Sequence, residues 1–269
     1  MTGGRRIALL LEYEGTAFHG SQAQTGQRTV QDVVEEALCR FTGERQRVAF
    51  AGRTDAGVHA LGQVVALNTA TPHDPSTFRR AIDHFLPEDV AVRAAAETAA
   101  DFDPRRHAVA RVYRYELDDG RGRSPLRRHR AWQVKRPLDA AAMAEAAAAL
   151  ANGRRDWAAF AGPVPDGYST VRTLLRLEVR RVGPSRLTVT MEADGFLPHQ
   201  VRRTVGALRR VGEGKLSPQQ FGRLAEGPAS SVGPAAPAQG LTLLAVRYAP
   251  GVLTWDTVAA YDDEDIPPE

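Results

Sequence analysis

The residues best suited to chemistry lie in a short polar segment bracketed by glycines, Gly52-Arg53-Thr54-Asp55-Ala56-Gly57. A positive charge near a carboxyl group lowers its pKa and keeps it ionised. Asp55 beside Arg53 therefore suits a nucleophile or a base. No second acidic residue and no Cys/His cluster accompanies it in the segment, so neither a carboxylate pair nor a metal site is indicated. The alternative is an Asx-type turn that joins two strands.

The segment belongs to a longer motif that other motifs accompany in order. Residues 51–60, AGRTDAGVHA, closely resemble the signature of the TruA-type tRNA pseudouridine synthases. Four further segments resemble the same family: 13–24 (YEGTAFHGSQAQ), 86–92 (LPEDVAV), 113–115 (YRY) and 196–202 (FLPHQVR). The match extends from about Arg5 to about Tyr248, and it implies that Asp55 is the essential catalytic carboxylate.

Four positions depart from the family pattern. Glu14 stands where the family usually has Asp, Ser21 where it has Trp, Gln200 where it has Met, and Arg203 where it has Asn. None of these departures falls in the Asp55 motif or at Arg202. They bear on substrate details rather than on the chemistry.

The resemblance implies a reaction and its partners. Members of the family isomerise uridine to pseudouridine at positions 38, 39 and 40 of the tRNA anticodon stem-loop. The reaction needs no redox change, no metal and no small-molecule cofactor. The family works as a homodimer whose basic clefts hold one tRNA across both subunits, and we expect the same arrangement for this chain.

Arg202 is the strongest second candidate. A helix beginning at Val201 would place four small or apolar residues in one narrow stripe, with Arg202 at its flank and Arg203 directed away from it. The stripe consists of Val201, Val205, Leu208 and Gly212. The resemblance implies that Arg202 pairs with Asp55. The residues alone leave open a surface arginine that lies over its own helix.

Tyr113 and Tyr115 share one face of a predicted strand, Val109–Leu117, because side chains alternate along a strand. An aromatic ring can stack on an unstacked base, which is worth about 1–3 kcal/mol by alanine substitution. A core tyrosine pair is the alternative. The resemblance assigns Tyr113 to the ring that faces the target uracil and Tyr115 to the core.

Arg53 is a candidate for opening the substrate. A base inside a stem must be flipped out before an enzyme can reach it, at a cost of a few kcal/mol. The resemblance implies that Arg53 takes part in this flipping. An internal ion pair between Arg53 and Asp55 is the alternative, and the two roles are compatible at different stages.

Composition indicates a cytoplasmic, globular protein. The 269 residues are 43% hydrophobic and 25% charged, as in soluble domains. No stretch approaches the roughly 20 apolar residues of a membrane span. The single cysteine, Cys39, excludes an internal disulfide and fits a reducing compartment.

The charge distribution suits a polyanionic partner. Net charge is +3, but six acidic residues and no Lys or Arg follow Trp255, so the preceding body is more basic than the total. An arginine-rich body suits a phosphate backbone. A solvated arginine-rich surface with no ligand is the alternative.

Periodicity and turn signals predict an α+β fold, with helices and antiparallel strands in each half of the chain. They predict a strand at Arg5–Tyr13, a helix at Val30–Phe41 capped by Thr29, and a later helix that opens with a capping box at residues 217–220. The resemblance implies that the two halves are similar subdomains, each an antiparallel sheet flanked by helices. We expect an N-terminal subdomain (1–106) with the Asp55 motif, a second subdomain (107–255) with Tyr113 and Arg202, and an acidic, disordered tail (256–269). The resemblance adds a central catalytic cleft.

Two other functions deserve comparison. A non-catalytic tRNA-binding module is disfavoured because Asp55, Tyr113 and Arg202 are all intact. A hydrolase of the aspartyl protease type would need an Asp-Thr/Ser-Gly motif or a partner acid, and Asp-Ala-Gly fits poorly.

Overall fold

A computed structural model of the chain describes residues 4–120 and 122–255. The acidic tail predicted at 256–269 lies outside these residues. Among the described residues, no helix is long and apolar enough to cross a membrane.

The chain forms ten strands and five α-helices across the described residues. In order they are β1 Arg5–Tyr13, α1 Val30–Thr42, β2 Ala49–Phe50, β3 His59–Thr69, α2 Pro75–Phe85, β4 Val90–Thr98, β5 Ala108–Asp118, β6 Trp132–Gln133, α3 Ala140–Leu150, β7 Gly153–Asp156, β8 Val171–Gly183, β9 Arg186–Ala193, α4 Gln200–Gly212, α5 Pro218–Arg223 and β10 Leu241–Tyr248.

The chain divides into two compact units. The first runs to Val109 and resumes at Leu243, and the second runs from Ala110 to Thr242. This division differs from the sequence-based one in its last strand. From Leu243 onward, β10 is grouped with the first unit, in which it pairs with β3. This pairing joins residues far apart in the chain, and no local pattern reports it.

The first unit is built on a sheet in the order β4-β1-β3-β10, with the short β2 also paired to β3. Strand β1 is antiparallel to both of its neighbours, and its apolar run Ile7–Leu11 is buried. Helix α1 begins as predicted, because the Thr29 side chain accepts a hydrogen bond from the backbone N–H of Asp32. It ends at Gly43 in a left-handed conformation (φ +72°).

The second unit is built on a sheet in the order β5-β9-β8-β7, with antiparallel pairing, and β6 lies parallel to β5. Helix α3 packs against β8 and against helices α4 and α5. Buried Trp157, Phe160 and Phe221 form an edge-to-face aromatic cluster in this unit.

In β8, one prediction of which residues are buried is wrong. Alternation predicts that Leu175, Leu177 and Val179 share one face. Leu177 and Val179 are buried, but Leu175 is 46% exposed and Leu174 is buried instead. The pairing register shifts between Leu174 and Arg176, so a bulge reverses the side-chain direction at this point.

Candidate active site

Asp55 lies in the connection between β2 and β3, at a tight turn. The backbone N–H of Val58 donates to the carbonyl of Asp55 at 3.1 Å, and Gly57 adopts φ +80°, which glycine tolerates without strain. The side chain of Asp55 is half-buried, whereas Arg53 is exposed. In the part of the chain that the structure describes, no ion pair joins Arg53 to Asp55. The turn therefore places Arg53 and Asp55 between the end of β2 and the start of β3.

The opening motif at 13–24 packs against this loop. The Gly57 N–H donates to the carbonyl of Phe18 at 3.3 Å. Gly20 has φ +94°, and a Cβ there would stand 2.8 Å from the carbonyl oxygen of Thr54. Both the conformation and the close approach require glycine. The fold thus brings together two motifs that are more than thirty residues apart in sequence.

Thr54, directly before Asp55, is buried and bonded on several sides. Its hydroxyl lies 2.8 Å from the hydroxyl of Tyr13, and its backbone N–H donates to the Ser21 hydroxyl oxygen at 2.9 Å. The Ser21 N–H donates to the Thr54 carbonyl at 3.0 Å. Gln63 donates from Nε2 to the carbonyl of Gly52 at 2.8 Å and to the hydroxyl of Tyr13 at 3.3 Å.

Sequence reasoning missed these supporting residues. Ser21 was visible only as a departure from the family pattern, and nothing near it in sequence indicates its contact with Thr54. Gln63 carried a usable signal, because it precedes the apolar run Val64–Leu67 and a polar side chain in a buried strand requires a partner.

His59 has a structural role beside the Asp55 loop. It is buried, and its Nδ1 accepts a hydrogen bond from the Gly15 N–H at 3.0 Å. Glu14 lies 3.6 Å from the same nitrogen. The hydrogen bond between Gly15 and His59 fixes the chain directly after β1. Gly15 packs so closely here that a Cβ would overlap the backbone of Val58.

Tyr113 and Tyr115 lie in β5 of the second unit. Tyr115 is fully buried and donates its hydroxyl hydrogen to the Pro237 carbonyl at 2.7 Å, which confirms its prediction as a core residue. Tyr113 is 7% exposed, and its ring packs edge-to-face on Phe196, with centroids 5.3 Å apart. The motif 196–202 therefore reaches Tyr113 through Phe196.

Arg202 lies in the first turn of α4, and the stripe predicted beside it is buried. Its Nε donates to the Ala236 carbonyl at 2.7 Å, and the Ala236 N–H donates to the carbonyl of Arg202 at 2.9 Å. Burial raises the pKa of the Tyr115 phenol, and the charge of Arg202 acts in the opposite direction. The guanidinium is therefore held in place beside the core of the second unit.

Arg203 lies outside the buried stripe of α4, as predicted, but it is less exposed than a residue directed fully to solvent. It is half-buried rather than directed to solvent, and its Nη1 donates to the Ser230 carbonyl at 3.0 Å. The loop around Ser230 therefore contacts α4 at Arg203. The periodicity of a helix does not indicate such a contact, because it depends on a segment elsewhere in the chain.

Gln200 occupies the position where the family usually has Met, and the structure shows what it does. The residue is buried, and its Oε1 accepts a hydrogen bond from the Leu197 N–H at 2.9 Å. This bond closes the turn that leads into α4.

The four candidates thus lie in two groups, with Asp55 and Arg53 on a loop of the first unit and Tyr113 and Arg202 in the second. The sequence profile described as tRNA pseudouridine synthase matches residues 10–105 and 147–249, a span that includes Asp55 and Arg202. This chain belongs to that family. The family is one of isomerases.

Curated relatives agree over nearly the full length. A protein named tRNA pseudouridine synthase A from Chloroflexus aurantiacus is 45% identical over 259 residues, which cover 93% of this chain and 91% of the relative. Proteins of the same name from Roseiflexus sp. (strain RS-1) and Geobacter sulfurreducens are 45% and 42% identical, each over 91% of this chain.

Proposed function

We propose that this chain converts uridine to pseudouridine in tRNA, at positions 38, 39 and 40 of the anticodon stem-loop. The observation that carries the proposal is the Asp55 loop, in which a half-buried carboxylate follows a threonine fixed by buried hydrogen bonds. Membership of the tRNA pseudouridine synthase family and the names of its relatives support the reaction and the substrate class. The three positions follow from the motif resemblance.

The proposed reaction is an internal rearrangement. The N1–C1′ bond breaks, the base rotates, and C5 bonds to C1′. The hydrogen on C5 leaves as a proton, and N1 acquires one. Attack of Asp55 on C1′, its addition to C6 and its removal of the 2′ proton all require an ionised carboxylate.

The other candidates have roles around Asp55. We expect Arg202 to pair with the carboxylate of Asp55, as the resemblance implies, and to orient it by charge-assisted hydrogen bonds. Exposed Arg53 helps to flip the target nucleotide, either by filling the vacated stack or by holding the displaced phosphate. Tyr113 places its ring against the target uracil.

The basic body of the chain supports binding to a phosphate backbone, with 35 Lys and Arg residues in total. We propose a homodimer in the cytoplasm, where two basic clefts hold one tRNA across both subunits. Sedimentation of the protein with and without tRNA tests this assembly.

The positions can be tested with tRNA transcripts that carry uridine at only one of 38, 39 and 40, and cytidine at the other two. After incubation and nuclease digestion, chromatography separates uridine from pseudouridine. We expect one pseudouridine per transcript in each of the three cases and none when all three positions are cytidine. Product in the all-cytidine transcript would contradict the assigned positions.

The role of Tyr113 can be tested with two variants. Tyr113→Leu removes the ring, and we expect it to lower activity roughly tenfold or more because stacking is lost. Tyr113→Phe keeps the ring and should bind tRNA almost normally, so a loss of single-turnover rate in this variant reports a role of the hydroxyl at C5. Equal activity of the Phe and Leu variants would remove Tyr113 from the site.

A further inference from the structure

Thr54, the residue before Asp55, makes more hydrogen bonds than a surface turn requires. Thr54 has three of its polar groups bonded to buried side chains or to the segment at 20–21: its hydroxyl, its N–H and its carbonyl. Tyr13 and Ser21, the residues that make these bonds, are 3% and 1% exposed. We call Tyr13, Ser21, Gln63 and Thr54 the Thr54 clamp.

Gln63 is a donor to two members of its surroundings, the Gly52 carbonyl and the Tyr13 hydroxyl. The Gly52 carbonyl can only accept, so the group of Gln63 that faces it is the NH₂, which then also donates to the hydroxyl oxygen of Tyr13. Burial raises the pKa of the Tyr13 phenol to about 12, so the phenol keeps its proton at neutral pH. A second hydrogen bond joins this hydroxyl to that of Thr54, 2.8 Å away, and either oxygen can be the donor.

Gln63 indicates that the clamp is more than packing. The residue is fully buried, and its Oε1 has no hydrogen-bond partner among the described residues. A buried acceptor without a partner costs about 1–3 kcal/mol. An apolar residue would avoid that cost and continue the run Val64–Leu67, but it could not hold the Gly52 carbonyl and the Tyr13 hydroxyl.

Ser21 supplies one contact of the clamp from a position that departs from the family pattern. The family usually has Trp at this position, and an indole has no acceptor for a backbone N–H. Here the Ser21 hydroxyl accepts from the Thr54 N–H. The hydroxyl therefore supplies a main-chain contact next to Asp55 that the usual residue cannot make.

We propose that Thr54 is a positioning residue, and that Tyr13, Gln63 and Ser21 hold it so that the carboxylate of Asp55 points at the reacting nucleotide. This inference rests on the proposed catalytic role of Asp55. The physical reason is that the two residues share a peptide bond, so rotation of Thr54 moves the Cα of Asp55. A misplacement of about 1 Å in a catalytic group can cost roughly 100-fold in rate.

Three variants test the clamp. Thr54→Val keeps the size of the side chain and removes its hydroxyl, and we expect the single-turnover rate at saturating enzyme to fall roughly 10- to 100-fold, with tRNA affinity unchanged. Thr54→Ser keeps the hydroxyl and should retain most of the rate. Ser21→Ala should lower the rate by a smaller factor, because the other bonds to Thr54 remain.

Tyr248→Phe is the matched control. It removes a hydroxyl that donates to the Pro104 carbonyl at 2.7 Å, in the same unit but outside the clamp. We expect it to lower the unfolding temperature without changing the single-turnover rate. Amide hydrogen exchange in the peptide covering 51–58 should rise in Thr54→Val and stay at the wild-type level in Tyr248→Phe.

The outcomes separate the inference from the proposed function. Wild-type rates for Thr54→Val, or equal losses in Thr54→Val and Tyr248→Phe, would overturn the inference while the function stands. A wild-type protein inactive on tRNA would contradict the function, and unchanged exchange at 51–58 in Thr54→Val would then still overturn the clamp. If Thr54→Val does not fold, Ser21→Ala and Tyr13→Phe undergo the same measurements.

Discussion

Asp55→Asn is expected to abolish pseudouridine formation while tRNA affinity changes by no more than about twofold. Affinity should come mainly from phosphate contacts spread over a basic surface, whereas the chemistry requires an ionised carboxylate. Asparagine keeps the size of the side chain and the turn at Gly57, so the loop should keep its structure. Single-turnover rates and tRNA binding, measured at the same salt concentration, separate the two effects.

Asp101→Asn serves as the control, since Asp101 is an exposed acid in the same unit. It changes net charge by the same amount and should leave both rate and affinity at wild-type values. An Asp55→Asn protein that retains a substantial share of wild-type turnover would rule out Asp55 as the central catalyst.

Arg202→Lys is expected to lower the single-turnover rate roughly 10- to 100-fold. The Nε of Arg202 already donates to the Ala236 carbonyl, and this bond orients the guanidinium plane. Lysine has one nitrogen and cannot both keep that bond and approach Asp55 with two parallel donors. Loss of a hydrogen bond to a charged group costs about 1.5–3 kcal/mol, which corresponds to the expected range.

Arg203→Lys is the matched control in the next position of α4. Its contact is with the Ser230 carbonyl, so we expect normal turnover with a slightly lower unfolding temperature and a modest, salt-dependent loss of tRNA affinity. If Arg202→Lys turns over normally while Arg203→Lys does not, the proposed pair between Asp55 and Arg202 is wrong.

Local signals account for much of the fold. The stripe in α1 and the cap at Thr29 predicted that helix within one residue at its end, and Ser217 with Gln220 forms the capping box expected for α5. Strand β1 has the predicted bounds. These elements were predictable because their signals depend on residues within one or two turns.

Contacts between distant residues were not predictable. Three features depend on segments that are distant in the chain: the pairing of β10 with β3, the bulge beside Leu174, and the contact of Arg203 with the Ser230 carbonyl. The same holds within the candidate site. Asp55 is a prediction from its motif, whereas the contact of Ser21 with Thr54 spans thirty-three residues and no periodic pattern in the sequence indicates it.

The most direct test of the proposed function is release of tritium from tRNA labelled at C5 of uridine. Only isomerisation displaces that hydrogen, whereas a tRNA-binding module or a hydrolase leaves it in place. We expect the wild-type protein to release one tritium for each pseudouridine formed, and Asp55→Asn to release none. No release by a wild-type protein that binds tRNA would contradict the proposed isomerase function.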